Sequence, residues 1–388
     1  MGVNILTQTS PASGGALVDT GTAFVLGPIG SGPTTAPAEC HNISDFETAF
    51  STRTGAATAA WDWLDTFFSE GGNRALVLDY ATAGQYANAL ALLTPDLGPG
   101  QVAVVGETLT LPADYTALYT AIQTHVDAHN RIGLLDVALA DNSATLLEAK
   151  GALAQALTSK ENIGLFGSWV DVPAPRGVIG GSARQVPASA VIAALCNRVD
   201  QNIGSNGIAN YNQPAGGRDL PLKYATGFVF DPMLTSDQTA LKAAGCNFFH
   251  DAWGVLENYA FLTPLYTGTP LTSTPFGQLN ASRARMWLKA QAAIIGESYY
   301  MKDIDGELKL ASQLGADLDS LCNKLFVAGG LFGDSPSDAY NIQVGVTVNT
   351  TADAATGTLN AVAECRFSQY ADTVNVTLVS VPVAGSVS

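Results

Sequence analysis

Short apolar runs alternate with segments of helical periodicity along the first half of the chain. The apolar runs are Thr22–Pro33, which ends in a glycine- and proline-rich turn, Ala75–Tyr80, Gln101–Gly106, Ile132–Leu139 and Asn162–Val170. Between them lie predicted helices at Ser44–Phe50, with Ser44 as the cap, Trp61–Phe68, Tyr86–Leu93, Ala113–Ala128 and Ala144–Leu157. Continuous apolar strands separated by helices are typical of a parallel sheet covered on both faces. The pattern predicts a doubly wound α/β domain.

The pattern changes after the middle of the chain. A helix follows Pro187, with Ser189 as its predicted N-cap. After loop-like and linker-like segments, two helices are predicted at Ser282–Tyr300 and Glu307–Ala328. The second of these carries an amphipathic stripe of Ala311, Leu314, Leu318, Leu321 and Leu325.

Three segments with period-two alternation close the chain. Their apolar positions are Ile342, Val344, Val346 and Val348, then Leu359, Ala361, Ala363, Cys365 and Phe367, then Val374, Val376 and Leu378. This period is that of strands with one buried face. Two helices and three strands predict a small α+β unit, whose last strand has no further partner in its own sequence.

Composition narrows the class of protein. Hydrophobic residues make up 47% of the 388 residues and charged residues only 13%, so the surplus apolar surface is expected in cores or against other chains. The formal charge of -16 argues against a nucleic-acid partner. No apolar run is long enough for a membrane helix, and no secretory signal is visible. An oligomeric protein without membrane insertion is expected.

Two patterns raise the question of a cofactor or a metal. Gly27, Gly30 and Gly32 follow an apolar run, but prolines flank them and no helix opens behind them, so a turn is favoured over a dinucleotide site. His125 and His129 have the spacing of two ligands on one helix face, yet the glutamate of a zincin motif is missing. Neither a cofactor nor a metal is predicted.

A serine near a helix start behind a glycine-rich turn raises the possibility of a hydrolase. Ser189 would be the nucleophile, His125 the base, and Asp79 or Asp136 the orienting acid. Helix capping by Ser189 explains the same residues without chemistry. The interpretation as a non-enzyme is favoured.

Five cysteines are scattered along the chain without a CxxC pair, which makes a zinc site improbable. Buried reduced thiols are the favoured interpretation. Because the count is odd, a disulfide between subunits is also considered, with Cys365 and Cys40, in a proline-rich surface loop, as candidates. Cys322, on the apolar side of its helix, is predicted to be buried.

Several motifs together resemble the contractile-tail sheath proteins of bacteriophages and related injection systems. They are, in chain order, TGTAFVLGPIGSGP, RQVPASAVIAALCNRVD, SRARMWLKAQ and GGLFGDSPSDAYNIQVGVTVNT. The resemblance spans nearly the whole chain. In two respects the chain departs from the family: it is short, so outer decorating domains are not expected, and the segment 202–212 lacks an expected tryptophan-bearing loop.

The resemblance implies a structural subunit in stacked hexameric rings around an inner tube, which contracts to drive the tube through a host envelope. Its α/β domain would be subtilisin-like in shape but not proteolytic. The implied partners are further copies of the chain, the tail tube protein, and baseplate and tail terminator proteins. The implied location is the virion tail, assembled in the host cytoplasm.

The resemblance also implies that terminal arms add strands to the C-terminal domains of neighbouring subunits. The expected linking strands contain Val3, Ile5, Leu6, Ile342, Val344, Val346, Val348, Val376 and Leu378. The expected units are an N-terminal arm at 1–20, the α/β domain at 21–265, a linker at 266–281, an α+β domain at 282–375 facing the tube, and a C-terminal arm at 376–388.

Three lysines are candidates for contact with the tube. Lys302, Lys309 and Lys324 lie close together on a chain with few basic residues, so they would suit an acidic tube surface. Ordinary solvated lysines on an amphipathic helix are an equally reasonable interpretation. Two other functions remain as alternatives to the sheath subunit: the Ser189 hydrolase, and a carrier that uses the crevice at the strand ends.

Overall fold

The computed structural model describes most of the chain as a sequence of short strands and helices. The described residues are 19–80, 82–107, 112–136, 161–249 and 277–369, with gaps inside the fourth range at 168, 176–180, 205–206, 210, 212, 214, 217–219, 230–234 and 245. The strands are β1 (Ala23–Gly27), β2 (Ala38–Cys40), β3 (Ala75–Asp79), β4 (Gln101–Val104), β5 (Ile132–Asp136), β6 (Ile163–Phe166), β7 (Val170–Val172), β8 (Arg184–Val186), β9 (Gly227–Phe228), β10 (Cys246–Asn247), β11 (Tyr340–Gln343) and β12 (Val362–Cys365).

The described helices connect these strands and form most of the C-terminal part. They are α1 (Ile43–Ala49), α2 (Ala57–Ser69), α3 (Tyr86–Ala91), α4 (Pro112–His129), α5 (Ala188–Gln201), α6 (Thr235–Ala244), α7 (Leu279–Glu297), α8 (Lys309–Val327), α9 (Pro336–Ala339) and α10 (Thr351–Ala355), with a 3-10 turn at Pro95–Leu97. Among them, no helix is both long enough and apolar enough to cross a membrane.

A seven-stranded sheet with the order β10-β6-β5-β4-β1-β3-β2 forms the centre of the α/β part. All neighbouring pairs are parallel except the edge pair β2–β3. Along β1, Ala23 and Val25 enter one hydrophobic cluster, whereas Phe24 and Leu26 enter another. The fold is mixed α/β with a parallel-rich sheet, which confirms the α/β class that the apolar runs predict.

Several predicted boundaries differ from the observed ones. The N-cap of α1 is Asn42, whose side chain accepts the Asp45 N–H, so the prediction of Ser44 is wrong. Ser189 is not a cap either, because α5 begins one residue earlier, after Pro187. The predicted strand Asn162–Val170 is two strands, since β7 leaves the main sheet and pairs antiparallel with β8 and β9.

The C-terminal part consists of α7, α8 and the antiparallel pair β11–β12. The predicted stripe of α8 is buried, and it packs against α7 and the sheet. The strand predicted for 342–348 ends at Gln343. Beyond it, the side chain of Asn349 donates to the carbonyl groups of Val344 (2.9 Å) and Asn360 (2.8 Å), which folds the chain into a turn.

Helix α7 joins the C-terminal part to the α/β part. Arg283, only 2% exposed, donates to the Cys196 carbonyl of α5 at 2.9 Å and forms an ion pair with Asp200. The helix begins at Leu279, so the last three residues of the linker predicted at 266–281 are helical. The predicted domain boundaries otherwise stay predictions, because residues 251–276 lie outside the described part.

A buried ion pair offers a test of the packing between α2 and β8. Arg184 donates to Asp65 at 2.6 Å and also pairs with Asp62, which Arg53 contacts from the surface at 2.6 Å. The Arg184 side chain is 5% exposed and that of Arg53 is 35% exposed. We expect Arg184→Met to lower the free energy of unfolding by about 3–5 kcal/mol, because it leaves two carboxylates without their buried partner.

The matched control is Arg53→Met, which removes an exposed partner of the same carboxylate and should cost about 1 kcal/mol or less. Urea denaturation of the two variants, followed by circular dichroism, measures the difference. Equal losses would show that Arg184 is no more important to the fold than a surface arginine.

Candidate functional site

Of the residues of the considered hydrolase site, the structure brings Ser189 and Asp136 together, but His125 and Asp79 have other partners. The Ser189 N–H donates to Asp136 Oδ1 at 2.8 Å, and its hydroxyl accepts a hydrogen bond from Trp63 Nε1 at 2.8 Å. Ser189 is fully buried. His125 instead contacts Arg131, directly before the start of β5, whereas Asp136 is at the end of that strand. A fully buried serine whose predicted base, His125, contacts Arg131 instead is not set up as a nucleophile.

The two histidines of α4 are also poorly placed for a cation. His125 Nε2 lies 2.8 Å from Arg131 Nη1, and the two imidazole rings are 4.5 Å apart. Burial, then the positive charge of Arg131, lowers the pKa of His125 to about 3. A guanidinium at this distance repels a metal ion. Within the described ranges, no group of three His, Cys, Asp or Glu side chains is arranged to hold a metal.

The glycine-rich segment after β1 is a turn closed by the protein itself. Asp79 Oδ1 accepts the N–H groups of Ile29 (2.8 Å) and Gly30 (3.1 Å). A phosphate bound by this turn would need such backbone donors, and an internal carboxylate already occupies them. The prediction of a turn in this segment is confirmed.

The pair β11–β12 has the geometry of an incomplete sheet. The four residue pairs run from Tyr340–Cys365 to Gln343–Val362. Within the described residues, no strand pairs with the outer edge of either member. Unpaired edges of this kind are templates for an added strand.

The hydrogen-bond pattern identifies which backbone groups face outward. Arg366 donates its N–H to the Ala339 carbonyl at 2.9 Å, in register with the ladder. In an antiparallel pair, hydrogen-bonded and non-hydrogen-bonded positions alternate. Glu364 therefore faces β11, whereas the N–H and C=O groups of Ala363 and Cys365 point away from it. By the same alternation, the N–H and C=O groups of Tyr340 and Ile342 point away from β12, to the outer edge of β11.

The predicted linking residues are only partly within the described chain. Ile342 lies on β11; Val344 packs over Gly315 of α8, where a Cβ atom would be 2.9 Å from Val344 Cγ2. Val346 is 71% exposed and lies, like Val348, in the turn beyond β11. Val3, Ile5, Leu6, Val376 and Leu378, and the third strand around Val374, lie outside the described residues.

The three lysines are exposed on the α7–α8 connection and on α8. The Lys302 ammonium lies 4.3 Å from the centre of the Tyr299 ring, and Lys309 forms an exposed ion pair with Glu307. On a helix of 3.6 residues per turn, Lys309 is opposite the buried stripe and Lys324 flanks it. Both lysines of α8 therefore face away from the core.

The two cysteine candidates have different environments. Cys40 is not in a surface loop: it ends β2, which pairs with β3, and is fully buried. Burial raises the pKa of its thiol to about 12. The expectation that Cys40 is exposed is wrong, because the sequence does not show that the proline-rich segment leads into an edge strand. Cys365 is half-buried on β12, and Cys322 is buried as predicted.

The fold of nearly the whole chain is similar to that of known structures. A chain of the anti-feeding prophage baseplate has a TM-score of 0.71 at 15% identity, with 98% of both chains covered. A chain of the sheath complex of an extracellular contractile injection system, in its contracted state, has a TM-score of 0.70 at 13% identity, with 96% of both covered. The chain has the contractile-sheath fold.

More distant examples of the sheath fold agree. The sheath tail protein of Desulfitobacterium hafniense has a TM-score of 0.54 at 11% identity, over 88% of this chain and 93% of that one. No family profile and no curated protein matches the sequence. At these identities the likeness establishes the fold, and it agrees with the sequence motifs that suggest it.

One feature of the sheath-fold C-terminal part was missed by the sequence pattern. Helix α10 lies between the first two predicted C-terminal strands and begins with a capping box, in which Thr350 and Asp353 satisfy each other's backbone N–H groups. The T-x-x-D spacing at 350–353 is the signal that could have revealed it.

The buried carboxyl of Asp136 gives a pH-dependent prediction. Burial raises its pKa to about 7, against the lowering effect of its hydrogen bonds with Ser189. Because the folded-state pKa exceeds the unfolded value, the native state binds more protons between about pH 4 and 7, and stability falls as the pH rises. The slope is at most about 1.4 kcal/mol per pH unit for one group.

We expect Asp136→Asn to be more stable than the wild type at pH 8, because a neutral amide keeps the acceptor for the Ser189 N–H without the buried charge. The difference should shrink as the pH falls towards 4. Urea denaturation of both proteins across this range measures it. A variant that is less stable than the wild type at pH 8 would mean that the ionised carboxylate is needed to cap α5.

Proposed function

We propose that the chain is the structural subunit of a contractile sheath. The single observation that supports this most is the agreement over 96% of both chains with a chain of the sheath complex of an extracellular contractile injection system. The sheet β11–β12, whose two edges are unpaired within the described residues, agrees with a subunit that joins its own kind.

Subunits are linked in this proposal by strand addition at β11–β12. The terminal arms carry the added strands: Val3, Ile5 and Leu6 at one end, and Val376 and Leu378 at the other. Main-chain hydrogen bonds to the outward groups of Ala363 and Cys365 give the affinity, and they require no special side chains.

The sheath consists of stacked hexameric rings around an inner tube, and its contraction drives the tube through a host envelope. The α/β part is of the doubly wound, subtilisin-like but non-proteolytic type. Partners are other copies of the chain, the tube protein, and baseplate and terminator proteins. The particle is a phage-type tail or a related injection system, assembled in the cytoplasm of its host.

The C-terminal part faces the tube through the side of α8 that carries Lys309 and Lys324. Both ammonium groups lie away from the buried stripe, and Lys302 lies at the beginning of the same surface. An acidic tube surface is the partner that these charges fit. Attraction between exposed charges weakens with salt, because the Debye length is only about 8 Å at physiological ionic strength.

The serine hydrolase alternative is not favoured. Ser189 is fully buried, and its hydroxyl accepts a hydrogen bond from Trp63. His125 contacts Arg131 at the opposite end of β5. The site would need rearrangement of the core before it could act on any substrate.

The strand-addition proposal is tested most sharply at Ala363. Its N–H points to the free edge of β12, so proline there removes one outward donor and leaves the inward ladder to β11 in place. We expect Ala363→Pro to remain a folded monomer and to lose polymerisation, as seen by negative-stain electron microscopy. Ala363→Val, which keeps the N–H at an exposed position, should polymerise as the wild type does.

Deletion of residues 1–15 removes one candidate added strand without touching β12. If the truncated chain folds but does not polymerise, the result supports addition of the N-terminal strand to β12 of a neighbouring subunit. Sheaths of normal length from both Ala363→Pro and the truncated chain would exclude strand addition at this edge.

The lysines require a separate experiment. We expect the double variant Lys309→Glu and Lys324→Glu to reduce assembly on the purified tube protein at least tenfold, while assembly without the tube is unchanged. Lys223→Glu, an exposed charge reversal in the α/β part, is the matched control and should have no effect on either. Equal losses with and without the tube would show that the α8 lysines serve contacts between sheath subunits.

A further inference from the structure

Two cysteines that are distant in sequence meet in the C-terminal part. The Sγ atoms of Cys322, on α8, and Cys365, at the end of β12, lie 3.9 Å apart. The two residues are 43 positions apart. They are both reduced, which makes them a dithiol that connects a helix to the sheet with open edges.

The two thiols differ in their chemistry. The hydrogen bond from Cys322 lowers the pKa of Cys365, because it stabilises the thiolate. The same hydrogen bond, then burial and the charge of Asp319, raises the pKa of Cys322. Cys365 is also the more exposed of the two, since Cys322 is only 1% exposed. A partly exposed thiol with a lowered pKa, beside a buried thiol, is the arrangement of an attacking and a resolving cysteine.

We propose that Cys322 and Cys365 form a redox-modification site that a hydroperoxide converts into an intrachain disulfide. The Cys365 thiolate attacks the peroxide, so that a S–O bond forms, the O–O bond breaks, and the departing oxygen takes a proton. Cys322 then attacks the sulfenic sulfur, so that the S–S bond forms, the S–O bond breaks and water leaves. With hydrogen peroxide, two thiols lose two electrons and two protons, and two molecules of water result.

The disulfide needs only a local adjustment. The sulfur atoms must approach from 3.9 Å to about 2 Å, and both side chains start from neighbouring positions. The bond closes a loop that contains α9, β11 and α10, and it attaches β12 to α8. In a sheath, which is the proposed function, this attachment would hold the linking sheet on its helix under load; the chemistry itself does not depend on that function.

The site also changes the expected partner of Cys365. A disulfide between subunits requires another chain to bring a thiol to β12, whereas Cys322 is already in contact. The intrachain reaction therefore has the advantage of proximity. Cys40, the other candidate, is fully buried and lies on β2 of the α/β part.

The test uses the full-length protein and hydrogen peroxide, with catalase to end the reaction and an alkylating agent to block remaining thiols under denaturing conditions. We expect most molecules to lose about 2 Da before alkylation and to remain monomeric in non-reducing electrophoresis. Trypsin should then release the peptide 310–324 joined to the peptide 325–366, and reductant should separate them. Cys40→Ala should behave as the wild type does.

Cys322→Ser should abolish the mass loss and leave a sulfenic acid on Cys365 that dimedone captures. Three results would overturn the proposal: no loss of mass in the wild type, a disulfide between two chains, or a mass loss that persists in Cys322→Ser. The peptide map of the wild-type protein decides the pairing even if the variant does not fold.

Discussion

A sheet edge needs hydrogen-bond partners for its backbone, and the pair β11–β12 has two such edges within the described part of the chain. Isolated two-stranded sheets are marginally stable in water. Here α8 supports one face, since Ile342 and Cys365 pack with the hydrophobic cluster of α7 and α8. The edges thus stay open while the sheet itself is held, which is the condition for receiving a strand from another chain.

A buried ion pair also connects the C-terminal part, through α7, to the α/β part. Arg283 on α7 and Asp200 on α5 are both almost without solvent contact. Burial raises the pKa of Asp200 to about 6, although the positive charge of Arg283 opposes this shift. An ion pair in such surroundings gives little net stability but strongly disfavours separation of its partners. It therefore suits a fixed connection between the two parts.

The features that follow from periodic burial could be predicted from sequence. The strands β1, β3, β4 and β5 and the stripe of α8 appear as apolar runs and three- and four-residue steps, because burial on a sheet or helix imposes those periods. The end of β11 could not be predicted this way. It depends on Asn349 reaching two carbonyl groups, one of them eleven residues away, and alternating valines continue past it without a signal.

The same limit applies to the candidate sites. Ser189 beside a glycine-rich turn resembles a nucleophile in sequence, but its hydroxyl is bonded to Trp63, 126 residues away. The contact between Cys322 and Cys365 likewise joins an amphipathic helix to a strand. Neither the sequence pattern of the helix nor that of the strand indicates that the two are in contact. Local patterns identify elements, whereas contacts between distant residues decide what those elements can do.

Hydrogen exchange of individual amides is the measurement that tests the central claim most directly. The outward N–H groups of Ala363 and Cys365 should exchange rapidly in the monomer and become protected in the assembled particle, while the inward N–H of Arg366 is protected in both. This result is predicted if a strand from a neighbouring subunit completes the sheet. Rapid exchange of the outward amides in assembled particles would contradict the account.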